Sequence, residues 1–294
     1  MLSYRHAFHV GNHADVIKHI VLTKILSYLL KKDKPVTYLD SHAGAGLYNL
    51  ADPQAQKTGE YHLGVKKILH NTRLKSLAVE YFQILHQVNP ELENKGLTIY
   101  PGSPFIAKLM LRPQDKILAV ELHNSEIENL KQNLEFWKDR RINIHHRDGF
   151  EGLKALTPPA IRRGLVLMDP SYEMTEDYKK TMDAVSQVLQ RWPEATVMVW
   201  YPFLRGSKDH SLFMHEKARK LKAREIIHVA LCPYSSQEGP GMYGSGIFIF
   251  NPTFGLLQEL RTFLPVLHEA LKQSNQAASH AETILQNADL SVNK

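Results

Sequence analysis

The chain of 294 residues is poor in cysteine and in long apolar runs. Its single cysteine, Cys232, excludes an internal disulfide and a four-cysteine zinc site. The most apolar stretch, residues 20–30, is interrupted by Lys24 and is too short to span a bilayer. The first residues are polar and rich in histidine, without the apolar segment and small-residue cleavage site of a secretory signal. We therefore expect a cytoplasmic protein with no membrane partner.

The turn at residues 41–46 lacks the fingerprints of two common cofactor classes. It has no G-x-G-x-x-G pattern and no Lys-Ser/Thr pair after its glycines, which excludes the simplest dinucleotide and nucleoside-triphosphate sites. The 36 Lys and Arg against 30 Asp and Glu give a net charge of +6, an excess compatible with an anionic partner such as nucleic acid. The hydrophobic content of 43% is sufficient for a packed core.

Apolar runs that fit strands alternate along the chain with stretches of helical periodicity. The predicted strands are residues 36–39, 117–120, 142–145, 164–168, 196–201, 226–231 and 246–250, and the predicted helices are residues 14–31, 103–111, 125–138 and 178–189. The first of these helices is amphipathic, with one apolar face and with lysine and histidine between its apolar positions. Because this alternation requires crossover connections, we expect an α/β fold with a mostly parallel, doubly wound sheet.

Two parts of the chain depart from this alternation. Residues 50–100 lack strand runs and show helical periodicity, so we predict a helical insertion there. The sheet domain then comprises residues 1–49 and 101–273. Residues 274–294 are polar, and we expect a weakly ordered tail.

Four predicted strands are followed or ended by an acidic residue, namely Asp40, Glu121, Asp148 and Asp169. The carboxyl ends of parallel strands meet at one edge of the sheet, where open α/β folds bind ligands. Isolated buried carboxylates are costly without partners, so ligand contacts explain the four acids better than structure alone. Glu121 can accept both hydroxyls of a ribose. A site that can bind adenosine but has no phosphate-binding loop indicates S-adenosylmethionine as the ligand.

The tetrapeptide Asp169-Pro-Ser-Tyr172 follows a run of apolar residues and carries the proposed chemistry. Pro170 cannot donate to a strand ladder, so the chain leaves the sheet there with a free carbonyl. A ring amine is a poor nucleophile because its lone pair is delocalised. Two acceptors, the Asp169 carboxylate and the Pro170 carbonyl, can hold that nitrogen while Tyr172 stacks on the ring. The alternative interpretation is a plain strand-to-turn junction with a packed tyrosine.

These residues belong to a larger set of motifs along the chain. The set comprises residues 1–6, Gly11-Asn-His-Ala-Asp15, Lys18-His19, His42-Ala-Gly-Ala-Gly46, Gly59-Glu-Tyr61, Pro101-Gly-Ser-Pro104, Glu121-Leu-His123, Asp148-Gly-Phe150 and the tetrapeptide. Together they closely resemble the bacterial 23S ribosomal RNA adenine-N6 methyltransferase family RlmJ, from residue 1 to about residue 265. The resemblance implies a Rossmann-like class I methyltransferase that uses S-adenosylmethionine and acts as a monomer on an adenine of protein-free large-subunit RNA.

The resemblance also implies roles for single residues. The residues that match its cofactor contacts are His19, His42, Ser103, Glu121, Asp148 and Gly149. Asp169 matches the catalytic residue, acting with Pro170 and Tyr172. Tyr4, His6 and Lys18 match the amino-terminal block that closes over the substrate. Ser171 is a departure, because the family's usual tetrapeptide has proline there. We expect the chemistry to survive, with a looser turn that affects rate or base preference.

The histidine-rich start has other interpretations. Five histidines, His6, His9, His13, His19 and His42, lie near Asp15 in the sequence, but only His9 and His13 approach a ligand spacing on one helix face. We therefore predict no metal site there. A solvated loop followed by a helix is a second interpretation. Contact with RNA and cofactor is favoured, because Arg5 and Lys18 can meet phosphate and Tyr4 can stack on a base.

Two other functions stay open at this point. The same chemistry fits a DNA adenine-N6 methyltransferase or a protein linked to the use of external DNA. From another class, the chain fits a nucleic-acid-binding protein whose methyltransferase site has decayed. Trp200, at the end of a predicted strand, is expected either to wall the base pocket or to pack in the core.

Overall fold

The structure, a computed structural model, describes residues 5–135, 139–237 and 241–286. Within these ranges the strands are β1 (Thr37–Asp40), β2 (Leu47–Asn49), β3 (Ile99–Pro101), β4 (Lys116–Glu121), β5 (Ile142–His146), β6 (Gly164–Met168), β7 (Thr196–Leu204), β8 (Glu225–Cys232), β9 (Met242–Phe250) and β10 (Ala278–Gln286). Tyr4 lies outside the described residues.

The helices of the described ranges flank these strands. They are α1 (His13–Leu30), α2 (Pro53–Thr58), α3 (Val65–Ile68), α4 (Thr72–Leu77), α5 (Val79–Val88), α6 (Leu92–Lys95), α7 (Ser103–Met110), α8 (Asn124–Glu135), α9 (Gly149–Leu156), α10 (Thr175–Arg191), α11 (Ser211–Ala218) and α12 (Leu256–Leu271). Short 3₁₀ turns occupy His6–Phe8, Glu60–His62 and Gly206–Lys208. No helix in this part of the chain is long and apolar enough to cross a membrane.

Eight strands form one sheet in the order β10-β8-β9-β7-β6-β1-β4-β5. The five strands from β7 to β5 pair in parallel, whereas β9, β8 and β10 add antiparallel strands at the other side. Helices cover both faces of this sheet. The predicted α/β fold with a mostly parallel, doubly wound sheet is therefore confirmed.

Strand β6 shows why the sequence forms this sheet. All five residues of Gly164–Met168 are buried. Leu165 and Leu167 pack into the core on one face, and Val166 and Met168 pack into the core on the other. A strand buried on both faces has no solvent side, so its sequence is a continuous apolar run instead of an alternating one.

Helix α1 is buried on nearly all sides. Asn12 begins it by accepting hydrogen bonds from the backbone of Ala14 and Asp15. The helix contacts β6 and β9 of the sheet and also α5, α7 and α12. It therefore carries the polar residues Asp15, Lys18 and His19 into the interior, where each needs a partner.

Residues 50–100 contain the short helices α2 to α6, and β2 pairs with β3 where this segment leaves and rejoins the sheet domain. The backbone N–H of Val65 donates to the carbonyl of Gly11 at 2.8 Å. A side chain at Gly64 would stand 2.1 Å from that carbonyl oxygen, so the two loops need a glycine to approach this closely. The segment is thereby fixed against the amino-terminal loop.

The expectation of a weakly ordered tail requires correction. Ala278–Gln286 forms β10, which pairs antiparallel with β8 and contacts α12. Polar side chains such as His280 and Glu282 suit an edge strand, because one of its faces is half-exposed. The sequence looked unstructured because the strand gains its order from pairing, which local composition does not reveal. Residues 287–294 lie outside the described residues.

Candidate active site

A cavity opens at the carboxyl edge of the parallel strands, where β1, β4 and β6 end next to one another. This first cavity is lined by His6, Lys18, His19, His42, Ala43, Gly44, Tyr48, Gly102, Ser103, Glu121, Leu122, His123, Glu126, Asp148, Gly149, Phe150, Asp169, Pro170, Ser171 and Asp177. All six residues that match the family's cofactor contacts are in this lining. The parallel register explains why positions so distant in the sequence meet.

Glu121 is fixed at the end of β4 by two backbone donors. Its Oε2 accepts a hydrogen bond from the N–H of Gly44 at 2.8 Å, and its Oε1 accepts one from the N–H of His123 at 2.7 Å. Gly44 has φ +61°, and a side chain there would collide with the Tyr48 hydroxyl. Each carboxylate oxygen keeps a lone pair for a further donor, as recognition of a ribose diol requires.

Asp148 and Gly149 form the amino end of α9 beside the turn that follows β1. Asp148 Oδ1 accepts hydrogen bonds from the N–H groups of Phe150 and Glu151, which leaves Oδ2 without a hydrogen bond among the described residues. A side chain at Gly149 would stand 2.3 Å from the Ser41 carbonyl oxygen and 2.6 Å from the His42 ring. The glycine therefore permits this close approach.

His42 meets the aromatic ring of Phe150 edge-on, with ring centroids 5.3 Å apart. Ser41 Oγ donates its proton to the Leu167 carbonyl and lies 2.8 Å from His42 Nδ1. Because the serine proton is already used, His42 Nδ1 carries the proton and donates it to Ser41 Oγ. Burial lowers the pKa of His42. The ring is consequently neutral, with Nε2 free to accept a hydrogen bond.

Asp40 requires a correction, because it does not line the cavity with the other strand-end acids. Its carboxylate is fully buried and accepts hydrogen bonds from Tyr38 and Ser103, each at 2.6 Å. Burial raises its pKa to about 6, even though these hydrogen bonds act in the opposite direction. Asp40 thus positions the Ser103 hydroxyl at the start of α7, where a ligand would meet Ser103 and not Asp40.

His19 reaches the cavity from the buried helix α1. Its Nδ1 lies 3.0 Å from the Tyr100 hydroxyl, and the two rings stack with centroids 5.5 Å apart. Burial lowers the pKa of His19 to about 3, so the imidazole is neutral at pH 7. Tyr100 comes from β3, and this contact ties the end of residues 50–100 to the cavity.

A second cavity adjoins the first at Asp169. Its lining comprises His6, His9, Asn12, His13, Ala14, Asp15, Lys18, Glu60, Leu63, Asp169, Ser171, Tyr172, Trp200, Pro202, Leu204, Arg205, Tyr234, Gly241 and Met242. Only His6, Lys18, Asp169 and Ser171 are common to both linings. The two cavities therefore meet where β6 ends.

Tyr172 and Trp200 supply aromatic surface to the second cavity. Tyr172 adopts φ +52°, donates its hydroxyl proton to the Trp200 carbonyl at 2.8 Å and packs against Tyr178. Trp200 Nε1 is buried without a hydrogen-bond partner among the described residues. No hydrogen bond among those residues uses the Pro170 carbonyl. Trp200 lines this cavity and also packs against the hydrophobic core, so its position combines the two expectations.

Lys18 lies inside the protein and not on its surface. Its Nζ is 2.5 Å from Asp169 Oδ2 and 2.9 Å from Asp15 Oδ1, and the residue is only 4% exposed. The expectation that Lys18 meets an RNA phosphate is therefore not met in this conformation. Helix α1 is buried on both sides, because residues 50–100 and α12 cover the face that the sequence pattern left open.

The same ion network reaches the amino terminus through Asp15. Asp15 Oδ2 accepts hydrogen bonds from His6 Nε2 at 2.9 Å and from the N–H of Gly11 at 2.8 Å. Burial acts to raise the pKa of Asp15, but the charges of His6 and Lys18 hold it well below its usual value. His6 and Asp169 are thus connected through two buried charged groups.

The remaining amino-terminal histidines have internal contacts. His9 Nδ1 lies 2.9 Å from Glu60 Oε1, and that hydrogen bond raises the pKa of His9. His13 is buried, and burial lowers its pKa to about 4. Within the described residues, these histidines and Asp15 do not form a group of three or more ligand atoms close enough to hold a metal ion.

Sequence reasoning missed Glu126 and Tyr48, which both line the first cavity. Glu126 is 8% exposed, and its Oε2 has no hydrogen-bond partner among the described residues. Burial and the nearby charge of Glu121 raise its pKa. The only sequence signal for Glu126 was its place in the first turn of the helix that follows Glu121. Many surface helices also begin with an acidic residue, so this signal is not specific.

The first cavity has the donors and acceptors that S-adenosylmethionine needs. Glu121 can accept from a ribose, Asp148 Oδ2 can accept from an exocyclic amine, and the buried Glu126 Oε2 still lacks a donor. The turn between β1 and β2 approaches closely through Gly44 and presents no lysine for a phosphate. The residues present therefore fit this cofactor.

Comparisons with known proteins agree with this geometry. A family model described as "Ribosomal RNA large subunit methyltransferase D, RlmJ" matches residues 33–284. The chain is 40% identical to ribosomal RNA large subunit methyltransferase J of Escherichia coli (strain K12) over 271 residues, which cover 92% of this chain and 94% of that protein. It is 38% identical to the protein of the same name from Haemophilus influenzae, with the same coverage.

A solved structure is also similar over nearly the whole length. It is the crystal structure of a protein from Legionella pneumophila, with a TM-score of 0.84 and 34% sequence identity. The alignment covers 94% of this chain and 98% of that one. The arrangement of strands described above is therefore present in a relative solved by crystallography.

Proposed function

The chain belongs to the RlmJ family of ribosomal RNA large subunit methyltransferases, and from this premise we propose that it transfers a methyl group from S-adenosylmethionine to the N6 amine of an adenine in 23S ribosomal RNA. The observation that carries the proposal is the position of Asp169. It lies where a cavity that fits the methyl donor meets a second cavity lined by Tyr172 and Trp200.

The cofactor is proposed to lie in the first cavity. Asp148 and Gly149 would hold its adenine, Glu121 its ribose, and Ser103 with His19 its methionyl group. The amino end of α7 favours a carboxylate there, because the Ser103 backbone N–H stands at the positive end of a helix. The Ser103 hydroxyl donates to Asp40, so its oxygen would accept from the ammonium of the methionyl group. His42 would act as an acceptor through its unprotonated Nε2. When bound, S-adenosylmethionine supplies an electrophilic methyl group on a sulfonium.

The target adenine is proposed to enter the second cavity, with its amine between Asp169 and the Pro170 carbonyl. Two acceptors orient the two N–H bonds and turn the nitrogen lone pair towards the first cavity. N6 would form a bond to the methyl carbon as the sulfur–carbon bond breaks, and the Asp169 carboxylate, which would accept from one of the two N–H bonds, would take the proton that N6 loses. Tyr172 and Trp200 would contact the ring.

Lys18 occupies one of these acceptors before substrate arrives. Its Nζ is 2.5 Å from Asp169 Oδ2, so the lysine ammonium and the substrate amine would compete for the same carboxylate oxygen. We propose that His6 and Tyr4 contact the incoming RNA, and that Lys18 meets the target base and not a phosphate, adjusting its position beside Asp169 as the amine binds. Asp15 offers the ammonium a second carboxylate at 2.9 Å during this exchange.

The RNA partner is proposed to be large-subunit RNA free of ribosomal proteins, and the protein is proposed to act in the cytoplasm as a monomer. A flipped adenine must enter a cavity that is buried beside α1, which a base in bare RNA can do more readily than one covered by protein. Light scattering of the purified protein gives the oligomeric state directly, and a dimer would contradict this part.

The decisive experiment measures transfer of a tritiated methyl group to protein-free 23S ribosomal RNA by Asp169→Asn. The variant keeps the side-chain shape but presents a donor amide to the substrate amine, so we expect transfer to fall by about 10²–10³. Binding of S-adenosylhomocysteine, measured by calorimetry, should change little. Asp183→Asn is the matched control, because Asp183 pairs with exposed Lys179 on α10 and the variant should transfer normally.

The same assay separates the alternatives. Undiminished transfer by Asp169→Asn would overturn the role of this carboxylate. Labelling of duplex DNA as well as or better than RNA would favour a DNA adenine methyltransferase linked to the use of external DNA. Absence of cofactor binding by the unaltered protein would favour a nucleic-acid-binding protein with a decayed site.

A further inference from the structure

A second cluster of metal-ligand side chains lies where the carboxyl-terminal strand β10 joins the sheet. His228 on β8 stands directly opposite Glu282 in the antiparallel ladder, and His280 stands opposite Ala230, two residues along. Directly opposed and diagonal residues of such a pair project from the same face of the sheet. The register therefore brings one buried histidine of β8 together with two half-exposed side chains of β10.

The ligand atoms are already close to one another. His228 Nδ1 lies 3.0 Å from His280 Nε2, His280 Nε2 lies 3.8 Å from Glu282 Oε1, and all three atoms lie within 4.8 Å of one another. Around a tetrahedral zinc ion with bonds of about 2.0–2.2 Å, neighbouring ligand atoms stand about 3.3–3.6 Å apart. Two of the separations lie on either side of that value and the third is at most 4.8 Å, so side-chain rotations would complete the site.

The buried side of the cluster holds His228 in the form that binds metal. Its Nε2 lies 2.9 Å from the Tyr201 hydroxyl, which in turn lies 3.3 Å from His215 Nε2. With Nε2 protonated and donating to Tyr201, the Tyr201 proton is available to His215 and the Nδ1 lone pair of His228 faces His280.

We propose that His228, His280 and Glu282 bind one zinc ion, with water at the fourth position. Two imidazoles and one carboxylate are ligands that zinc prefers. In the described part of the chain, this is the one group of three or more such side chains that come close enough together. The ion would link β10, the last described strand, to β8 through ligands from both strands. The proposal goes beyond methyl transfer and does not depend on it.

The proposal is tested with full-length protein freed of metal by a chelator. Titration with Zn²⁺ against a chromophoric competitor should give one tight site in the unaltered protein, and Co²⁺ should give the intense visible bands of tetrahedral coordination. His280→Ala and Glu282→Gln should both lose the tight site. These side chains are half-exposed, so the variants are expected to fold. Tyr201→Phe should weaken binding by about 10–100-fold through its orienting role.

His86→Ala is the matched control. His86 Nε2 lies 3.7 Å from Glu93 Oε1, a similar histidine–glutamate pair on the surface, and its removal should leave the tight site intact. Hydrogen exchange of residues 278–286 should slow when Zn²⁺ is added to the unaltered protein and not when it is added to His280→Ala. Absence of tight binding in the unaltered protein, or full affinity in either ligand variant, would overturn the proposal.

Discussion

Ser171 is the residue at which this chain departs from the family's usual tetrapeptide, and its side chain borders both cavities. Its φ is not positive and no hydrogen bond among the described residues uses its N–H, so a proline there would cost no hydrogen bond. We expect Ser171→Pro to stabilise the protein by about 0.4–1 kcal/mol, chiefly through the unfolded chain. Denaturant unfolding measures this.

The same variant tests whether Ser171 matters for chemistry. Asp169, the Pro170 carbonyl and Tyr172 keep their places in it, so methyl transfer should stay within about tenfold, a difference of 1.4 kcal/mol in the barrier. A larger loss would mean that the serine hydroxyl contacts the substrate. Cofactor affinity, measured alongside, distinguishes a loss in the second cavity from a loss in the first.

Glu121 accepts one backbone hydrogen bond on each carboxylate oxygen. In Glu121→Gln, the amide nitrogen must face one of these two donors, so the turn at Gly44 or the His123 loop has to move. We expect S-adenosylhomocysteine to bind about 10–100-fold more weakly by calorimetry, corresponding to the 1–3 kcal/mol of an unsatisfied buried donor. Glu128→Gln, an exposed change on the neighbouring helix, should bind normally.

At this scale the sequence predicted the residues that end strands and could not predict their partners. Glu121, Asp148 and Asp169 line the first cavity because parallel register brings strand ends together. The Asp40 carboxylate is buried instead, because Tyr38 and Ser103, which is distant in the sequence, donate hydrogen bonds to it. Such partners depend on contacts across many residues of chain, which spacing does not encode.

Among the helices, α1 differs from its sequence pattern, which predicted one apolar face. Its charged and histidine side chains are nevertheless buried, because two other parts of the chain cover the second face. Likewise, the order of β10 comes from pairing with β8. The other seven strands of the sheet and the helices α1, α7, α8 and α10 were predicted, because their apolar runs and periodicity are local properties. The long helix α12 was missed.

The burial of His19 in α1 makes stability depend on pH. Its pKa is about 3 in the folded protein and about 6.5 when exposed, so between these values the unfolded chain binds a proton that the folded protein does not. Stability from this group is complete above pH 6.5 and is lost as pH falls through that window. The expected slope is about 1.4 kcal/mol per pH unit near pH 5.

His19→Asn isolates this contribution, because asparagine can replace Nδ1 in the contact with Tyr100 and does not titrate. Denaturant unfolding without cofactor at pH 7.5, 6 and 5 should give a slope lower than that of the unaltered protein by about one proton. His86→Asn, on the surface, should keep the original slope. Equal slopes for His19→Asn and the unaltered protein would show that His19 is not held neutral.

On the scale of the whole molecule, the positive charge does not lie in the first cavity. The chain has a net charge of +6, yet the cavity lining contains Glu121, Glu126, Asp148, Asp169 and Asp177 with Lys18 as its lysine. That balance suits a cationic sulfonium and repels phosphate. RNA must therefore be held by basic residues beside the second cavity, where the base would enter.

Residues 57–75 form a segment whose charged residues are mostly basic and which reaches the second cavity. This segment has five Lys and Arg against one acidic residue, Glu60, which itself lines the second cavity. Lys67 and Arg73 are exposed. The segment is fixed near the cavity through Glu60, whose carboxylate accepts from the Asn12 side chain at 2.9 Å. A phosphate backbone that delivers a base to Tyr172 would therefore pass close to these cations.

We expect the double variant Lys67→Gln with Arg73→Gln to bind 23S ribosomal RNA fragments more weakly, without a change in cofactor affinity. Each lost phosphate contact lowers the slope of log affinity against log salt by about 0.7–0.9, so two contacts lower it by about 1.4–1.8. The control, Lys220→Gln with Lys222→Gln, removes the same charge beside the far edge of the sheet, near Asn251. Filter binding from low to moderate salt measures both. If the two double variants lose affinity equally, net charge alone attracts the RNA and residues 57–75 do not direct it to the site.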